Sequence, residues 1–223
     1  MHVEVLKARL ESLKDFAKHY LMIVLSILTA LGLEAWIEHT HHQHAAQTAS
    51  TQVEAEIRTN LAEVRASLAK DAHQAKVLAA LRDALVADFK AHATDQAIAS
   101  HIQTLATDGF DLNLSWPTLR QEAWDVAVAN QSASWIDEPR MRRYSAAYAS
   151  QRDMATTLGA NLALVMNGPR MMDAMTDLRT ADIQPREFLH VVSQMAAMLE
   201  QAQNNLRVLE RHLQDGLGAT PAD

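Results

Sequence analysis

The chain has 223 residues, a formal charge of -7, no cysteine, and 48% hydrophobic but only 5% aromatic residues. That length suits one domain or one domain plus an anchor. The missing cysteine excludes a disulfide framework, a thiolate nucleophile and a Cys-type zinc site, and the acidic balance argues against nonspecific nucleic-acid binding. With 39 alanines against 6 glycines and 5 prolines, the composition favours long helices over a mainly β fold.

Residues 1–19 form a leader carrying Lys7, Arg9, Lys14 and Lys18. From Tyr20 to Leu33 (YLMIVLSILTALGL) there is no charge. Continued to Ile37 the run reaches 18 residues, about 27 Å at 1.5 Å per residue, close to a hydrocarbon core of about 30 Å. Tyr20 and Trp36 stand at its two ends, as interfacial aromatic anchors do. No Lys or Arg follows until Arg58. That asymmetry predicts a cytoplasmic amino terminus and an inner-membrane helix over 20–37, with everything beyond it periplasmic. Two other readings compete: a cleaved signal peptide with Ala30 and Gly32 as its small-residue pair, and a buried core helix of a soluble protein. Charged residues in the leader and unbroken helix-forming sequence past the cut weigh against the first. The aromatic ends and the charge asymmetry weigh against the second.

Residues 38–52 read as a juxtamembrane His-rich helix. Beyond it Val53, Ile57, Leu61, Val64, Leu68, Ala75, Leu78, Leu85 and Phe89 recur mostly at three- and four-residue steps, which predicts a long helix with breaks considered near Lys70–Asp71 and near His92–Asp95. Thr94 or Asp95 would cap a shorter helix ending around Thr107, followed by a loop over 108–117. Ser115 and Pro117 predict a helix start running to about Ala129, and Asp137 with Pro139 predict a longer helix to about Met166. Asn167, Gly168 and Pro169 signal a turn, a short helix follows over 170–179, and Asp182 to Pro185 begin a last helix to about Gln214. The fold class expected is all-α: one transmembrane helix continuing into an antiparallel periplasmic bundle over 53–214, with a disordered tail over 215–223.

The stretch LMIVLSILTALGLEAWIE, followed by EIRTNL from Glu56 to Leu61, resembles a bacterial domain-of-unknown-function family of single-pass membrane proteins. The pattern is an apolar run ending in Ala-Leu, four variable residues, Trp-x-Glu, and a helix carrying Glu and Asn-Leu soon after. Ala30, Leu31, Trp36, Glu38, Glu56, Asn60 and Leu61 match it. A second patch is similar to a helical pattern in the exported part of such proteins: Trp124, then Arg143, Tyr144, Tyr148 and Gln151. Glu34 departs from an uncharged polar residue, Asn130 from a frequent glycine, and the histidine cluster is a further departure. The resemblance implies an anchored, exported helical domain and no particular chemistry.

Glu38-His39-Thr40-His41-His42-Gln43-His44 places four imidazoles just beyond the apolar run. On a helix His41 and His42 with Glu38 would offer two or three ligands to zinc, copper or nickel, or a charge that changes between about pH 5 and 8. The plainer reading is a solvated or headgroup-facing stretch. Two Glu-x-x-His pairs, Glu38 with His41 and Glu187 with His190, have the spacing di-iron bundles use, yet lie at opposite ends of the helical region. Glu34 inside the outer end of the run either snorkels to the interface or meets a partner helix. Ser26 and Ala30, small residues one turn apart, would let such a helix approach. Membrane and partner contact is therefore assigned to Tyr20, Ser26, Ala30, Glu34, Trp36 and Glu38.

Trp116, Trp124, Trp135, Tyr144 and Tyr148 with Arg143 would line a ligand pocket, or more simply form the bulky knobs of an Ala- and Leu-rich core. The methionines from Met166 to Met198 read as core packing rather than a soft-metal surface. No phosphate loop, nucleophile elbow or His-Glu-x-x-His motif occurs. The expectation is a non-catalytic protein without cofactor, acting as accessory or scaffold subunit of a membrane complex. Its partners would be the lipid bilayer and another integral membrane protein or a second copy. A ligand- or pH-responsive sensor module is the alternative.

Overall fold

One helix, α1 (His2–Lys90), runs 89 residues without interruption, about 130 Å at 1.5 Å per residue. The computed structural model describes residues 2–106, 115–166 and 169–218. Residues 108–114 of the loop expected over 108–117, the Asn167–Gly168 turn, and residues 219–223 of the expected tail lie outside the described residues. Five further α-helices follow: α2 (Asp95–Ala106), α3 (Glu122–Ala129), α4 (Glu138–Met166), α5 (Pro169–Thr180) and α6 (Pro185–Gly216), with a 3-10 turn, η1 (Ser132–Trp135), between α3 and α4. No strand occurs among the described residues. The all-α class expected from composition is what the chain adopts.

No side chain from residue 15 to residue 41 of α1 is buried. Leu21, Leu25, Leu28, Leu31 and Leu33 are all exposed, and this helix alone among those described is long and apolar enough to cross a membrane. From Ala46 onward the same helix becomes the spine of the core. Its buried positions Ile57, Asn60, Val64, Ser67, Asp71, Leu78, Leu81 and Leu85 advance by threes, fours and their sums. Alternating three- and four-residue steps keep one stripe facing one partner, as in a coiled-coil seam.

That partner is α6, whose Phe188, Val192, Met195, Leu199, Ala202, Leu206, Leu209, Leu213 and Gly216 keep the same alternation and are all buried. The pairing is reversed in sequence order. Arg65 bonds Glu210 at 2.7 Å, and the α carbon of Gly216 sits where an added Cβ would be 3.4 Å from Ile57 Cδ1 and 3.2 Å from Ala147 Cβ. Glycine is therefore what lets the end of α6 approach both α1 and α4. α4 runs along α1 in the same order, Tyr144 meeting Glu54 and Gln151 meeting Asn60.

Two apolar clusters result. The first joins Ala49–Val64 of α1 to Ala202–Leu213 of α6 with Tyr144, Ala147, Tyr148 and Ile136. The second joins Leu78–Leu85 to Phe188–Leu199 with Ile98, Ile102 and Ile183. Between them α1 presents Ser67 and Asp71, both buried.

Several boundaries differ from those expected. Ala46, Ala49 and Ser50 already belong to or border the first cluster, so the packed region begins before residue 53. α1 passes Lys70–Asp71 intact and ends at Lys90, where His92 takes a left-handed φ of 55°. The N–H of Ala93 reaches back to the carbonyl of Asp88 at 3.1 Å, closing the end without a glycine. Thr94 Oγ1 accepts the N–H of Ala97 and caps α2 as expected. The third helix begins at Glu122, not at Ser115 or Pro117. Residues 115–121 are not helical, and side chains of α1 take up the N–H of Ser115 and both backbone groups of Arg120. At the far end α6 continues through Asp215 and Gly216, and Leu217 packs on the first cluster, so the ordered chain outlasts the expected boundary at 214.

The packing contrast between the two parts of α1 and α6 is measurable. Leu199→Ala, at a fully buried seam position, is expected to lose about 2–4 kcal/mol. Leu25→Ala, on the exposed segment, should leave thermal unfolding of the helical signal in detergent nearly unchanged. Equal effects at both sites would contradict this division.

Candidate functional site

The exposed segment carries all six residues assigned to membrane or partner contact. Ser26 donates its hydroxyl to the carbonyl of Met22 at 2.8 Å and Thr29 to that of Leu25 at 2.8 Å. These polar groups are thus satisfied within their own helix and need no outside partner. Ala30, Leu33, Glu34, Ile37, Glu38 and His41 line one shallow groove along the helix. Tyr20 and Trp36 are exposed at either end. Small, apolar and acidic groups on one stripe are a surface on which another helix can rest closely.

Just beyond, the imidazoles diverge. The ring of His39 lies 2.8 Å from the amide nitrogen of Gln43, His41 borders the groove, and His42 turns to the bundle. The His42 ring lies flat on Trp135, centroids 3.5 Å apart and planes within 9°, and its Nε2 is 4.0 Å from Glu38. His190, of the other Glu-x-x-His pair, is exposed and 4.0 Å from Glu187. Among the described residues no group of three or more His, Asp or Glu side chains converges as metal ligands would.

The aromatic residues do not surround a common space. Tyr144 and Tyr148 are wholly buried, Trp124 stacks on Tyr148 at 5.3 Å, and Trp116 packs at the edge of the same cluster. Trp135 stands apart, half exposed, on His42. Arg143 lies beside Gly218 with its buried Nε unpaired. These rings are core, with Trp135 a separate clip between η1 and α1.

What joins them is a set of polar contacts from α1. Asn60 places its amide nitrogen 2.7 Å from the carbonyl of Arg120 and 2.9 Å from Oε1 of Gln151, while its Oδ1 accepts the N–H of Arg120 at 2.9 Å. Gln151 donates to the same carbonyl at 2.8 Å. Glu56 accepts the hydroxyl of Tyr148 at 2.6 Å and the N–H of Ala123 at 2.9 Å, so a carboxylate of α1 caps the amino end of α3. Tyr144 donates to Glu54 at 2.8 Å. Burial first, and the facing glutamate second, push both phenols above the ordinary tyrosine range, so they remain donors. Asp71 accepts the N–H of Ser115 at 2.9 Å. Burial holds its carboxyl above the usual range, and the Ser115 N–H and Lys70 only partly offset this.

The two patches that carry the family resemblance therefore meet. Glu56 and Asn60 of the first touch Tyr148 and Gln151 of the second. Sequence reading named these residues without their pairing, and it missed Asp71, whose only visible signal was a carboxylate on the apolar stripe. It also missed a cavity of about 120 Å³ between α5 and α6, lined by Ala174, Ile183 and Phe188 with Asp173, Asp177 and Glu187.

Asn60→Ala removes every bond that amide makes and should lower stability by about 2–4 kcal/mol, read by urea unfolding; a loss too small to resolve would contradict the clasp. For Asp71, the folded pKa lies above the unfolded one, so the unfolded chain holds fewer protons between the two values and stability falls as pH rises through that window. Asp71→Asn keeps an acceptor for Ser115 and removes the ionisation. Its gain in thermal midpoint over the parent should be larger at about pH 7.5 than at about pH 4.5; an equal or reversed difference would contradict the assignment.

Compared with known proteins, the chain matches no family model, no curated protein and no solved structure.

Proposed function

We propose that the protein is a non-catalytic, single-pass inner-membrane protein. Its helical domain is an antiparallel bundle held on the periplasmic side, and it serves as an accessory or scaffold subunit of a membrane complex. The observation that carries this reading is the dual use of α1. One unbroken helix bears a fully exposed apolar segment and then the central stripe of the core. Water makes such a segment costly, at roughly 25 cal/mol per Å² of apolar surface, whereas lipid does not. The basic leader and the absence of Lys or Arg from residue 19 to residue 57 support a cytoplasmic amino terminus.

Polar groups of the helical domain are engaged in joining its own elements, which supports a structural task for Glu56, Asn60, Tyr144 and Tyr148. The groove from Ala30 to His41 supplies a surface for a partner, either another integral membrane protein or a second copy. A sensor is the second reading. It draws on the α5–α6 cavity as a ligand space and on the His42–Trp135 stack as a link between the bundle and the anchored helix.

A periplasm-active reporter fused after Asp223 should be active, and a cytoplasm-active one silent; the reverse pattern would overturn the orientation. Affinity purification in mild detergent should recover discrete stoichiometric membrane partners or a second copy. Their loss on Glu34→Leu together with Ala30→Leu would place the contact on the groove. Retention of a small molecule by a solitary chain would favour the sensor.

A further inference from the structure

We propose that the η1 turn rests on the phospholipid headgroups of the bilayer that α1 crosses, with Trp135 as its aromatic anchor. The inference rests on the reading that residues 20–37 span that bilayer. Because α1 has no break between residues 15 and 90, height above the membrane follows directly from residue number. His42 lies five residues past Ile37, about 7.5 Å at 1.5 Å per residue. Helical side chains lean toward the amino terminus, so its ring sits lower than its backbone. The headgroup layer on each side of a bilayer is roughly 5–7 Å thick, the difference between a total of about 40–45 Å and a core of about 30 Å.

Trp135 is fixed to that ring at 3.5 Å, face to face. Its indole is therefore held at headgroup level, with half of its surface open. Tryptophan is the side chain that this layer prefers, since one edge is apolar and the other donates a hydrogen bond. The rest of the path supports the same placement. Ala123 is bound to Glu56 of α1 and Trp135 to His42, so the chain descends toward the membrane through α3, turns at η1, and climbs away along α4. Gln131, Ser134 and Trp135 at the turn are exposed, while Ser132 and Ile136 face inward.

Charge near the turn is balanced. Asp137 pairs with Arg140, and Glu138 lies 3.6 Å from Arg142. The contact is thus interfacial burial of an aromatic ring rather than electrostatic attraction, and it should form on zwitterionic lipid. Together with the span it gives the domain two points of attachment, which restricts the tilt of α1.

The cysteine-free chain allows a direct test with the full-length protein in phosphatidylcholine nanodiscs. Single cysteines replacing Ser134, Leu28 and Gln194 would carry a nitroxide, and depth would be read from oxygen against nickel-chelate accessibility. Expected are a deep position for the label at 28, an aqueous one at 194, and at 134 an accessibility ratio several-fold above that at 194. Trp135→Ser should bring the ratio at 134 down toward the aqueous value while leaving 28 unchanged. A label at 134 as aqueous as that at 194, with 28 deep, overturns the proposal alone. Aqueous values at both 134 and 28 overturn the spanning reading and this proposal together.

Discussion

Backbone hydrogen bonding along α1 continues without a stop from the exposed apolar segment into the packed core, and that continuity constrains everything else. A helix cannot bend sharply without a proline, a bulge or an inserted polar group, and α1 has neither proline nor a break. The apolar segment and the core stripe therefore belong to one continuous helix, and the elements packed on α1 are positioned along it. α6 lies along the seam, and residues from Ser115 to Trp135 make their contacts beside it. A flexible linker at residues 38–52 would have uncoupled the packed region from the apolar segment; the His-rich stretch instead stays helical and, through His42, is part of the packing.

The core built on this spine is divided. Apolar clusters lie on either side of a short polar interval where Ser67 and Asp71 occupy seam positions. Polar groups at such positions weaken a seam but fix its register, because a slip of one heptad would bury them without partners. Asp71 illustrates the balance. Its bond to Ser115 fixes the start of the segment over 115–121, while burial pushes its carboxyl above the usual range. Asn60 does the same with a neutral group, giving Arg120 both a donor and an acceptor, as a neighbouring strand would. Ser115 and Arg120 thus find backbone partners without secondary structure of their own.

Most of the architecture was legible because it depends on local periodicity. Three- and four-residue steps in the second half of α1, Thr94 as a cap, Asp137 before Pro139, and Asp182 to Pro185 before α6 all act within one or two helical turns. The errors share one physical origin. The start of α3 is capped by Glu56, distant in sequence, so Ser115 and Pro117 offered a false local signal. The ends of α1 and α5 fall within a few residues of the expected positions, closed by His92 and Ala181 in left-handed conformations rather than by glycine. For the candidate site, the sequence marked the aromatic and acidic residues but not their partners, since pairing between α1 and α4 spans some ninety positions.

Taken alone, the order of residues determined that this protein is helical, that its front segment is apolar over a membrane-sized length, and which faces of the long helices are greasy. Those properties come from composition and from spacing along one helix. Only the tertiary structure decided that Asn60 and Asp71 hold the backbone of Arg120 and Ser115 while Glu56 caps α3, that Tyr148 and Trp124 are packed core rather than pocket, and that His42 holds Trp135. Each of these is a contact between distant parts of the chain, set by how α4, α6 and η1 come to rest on one continuous helix.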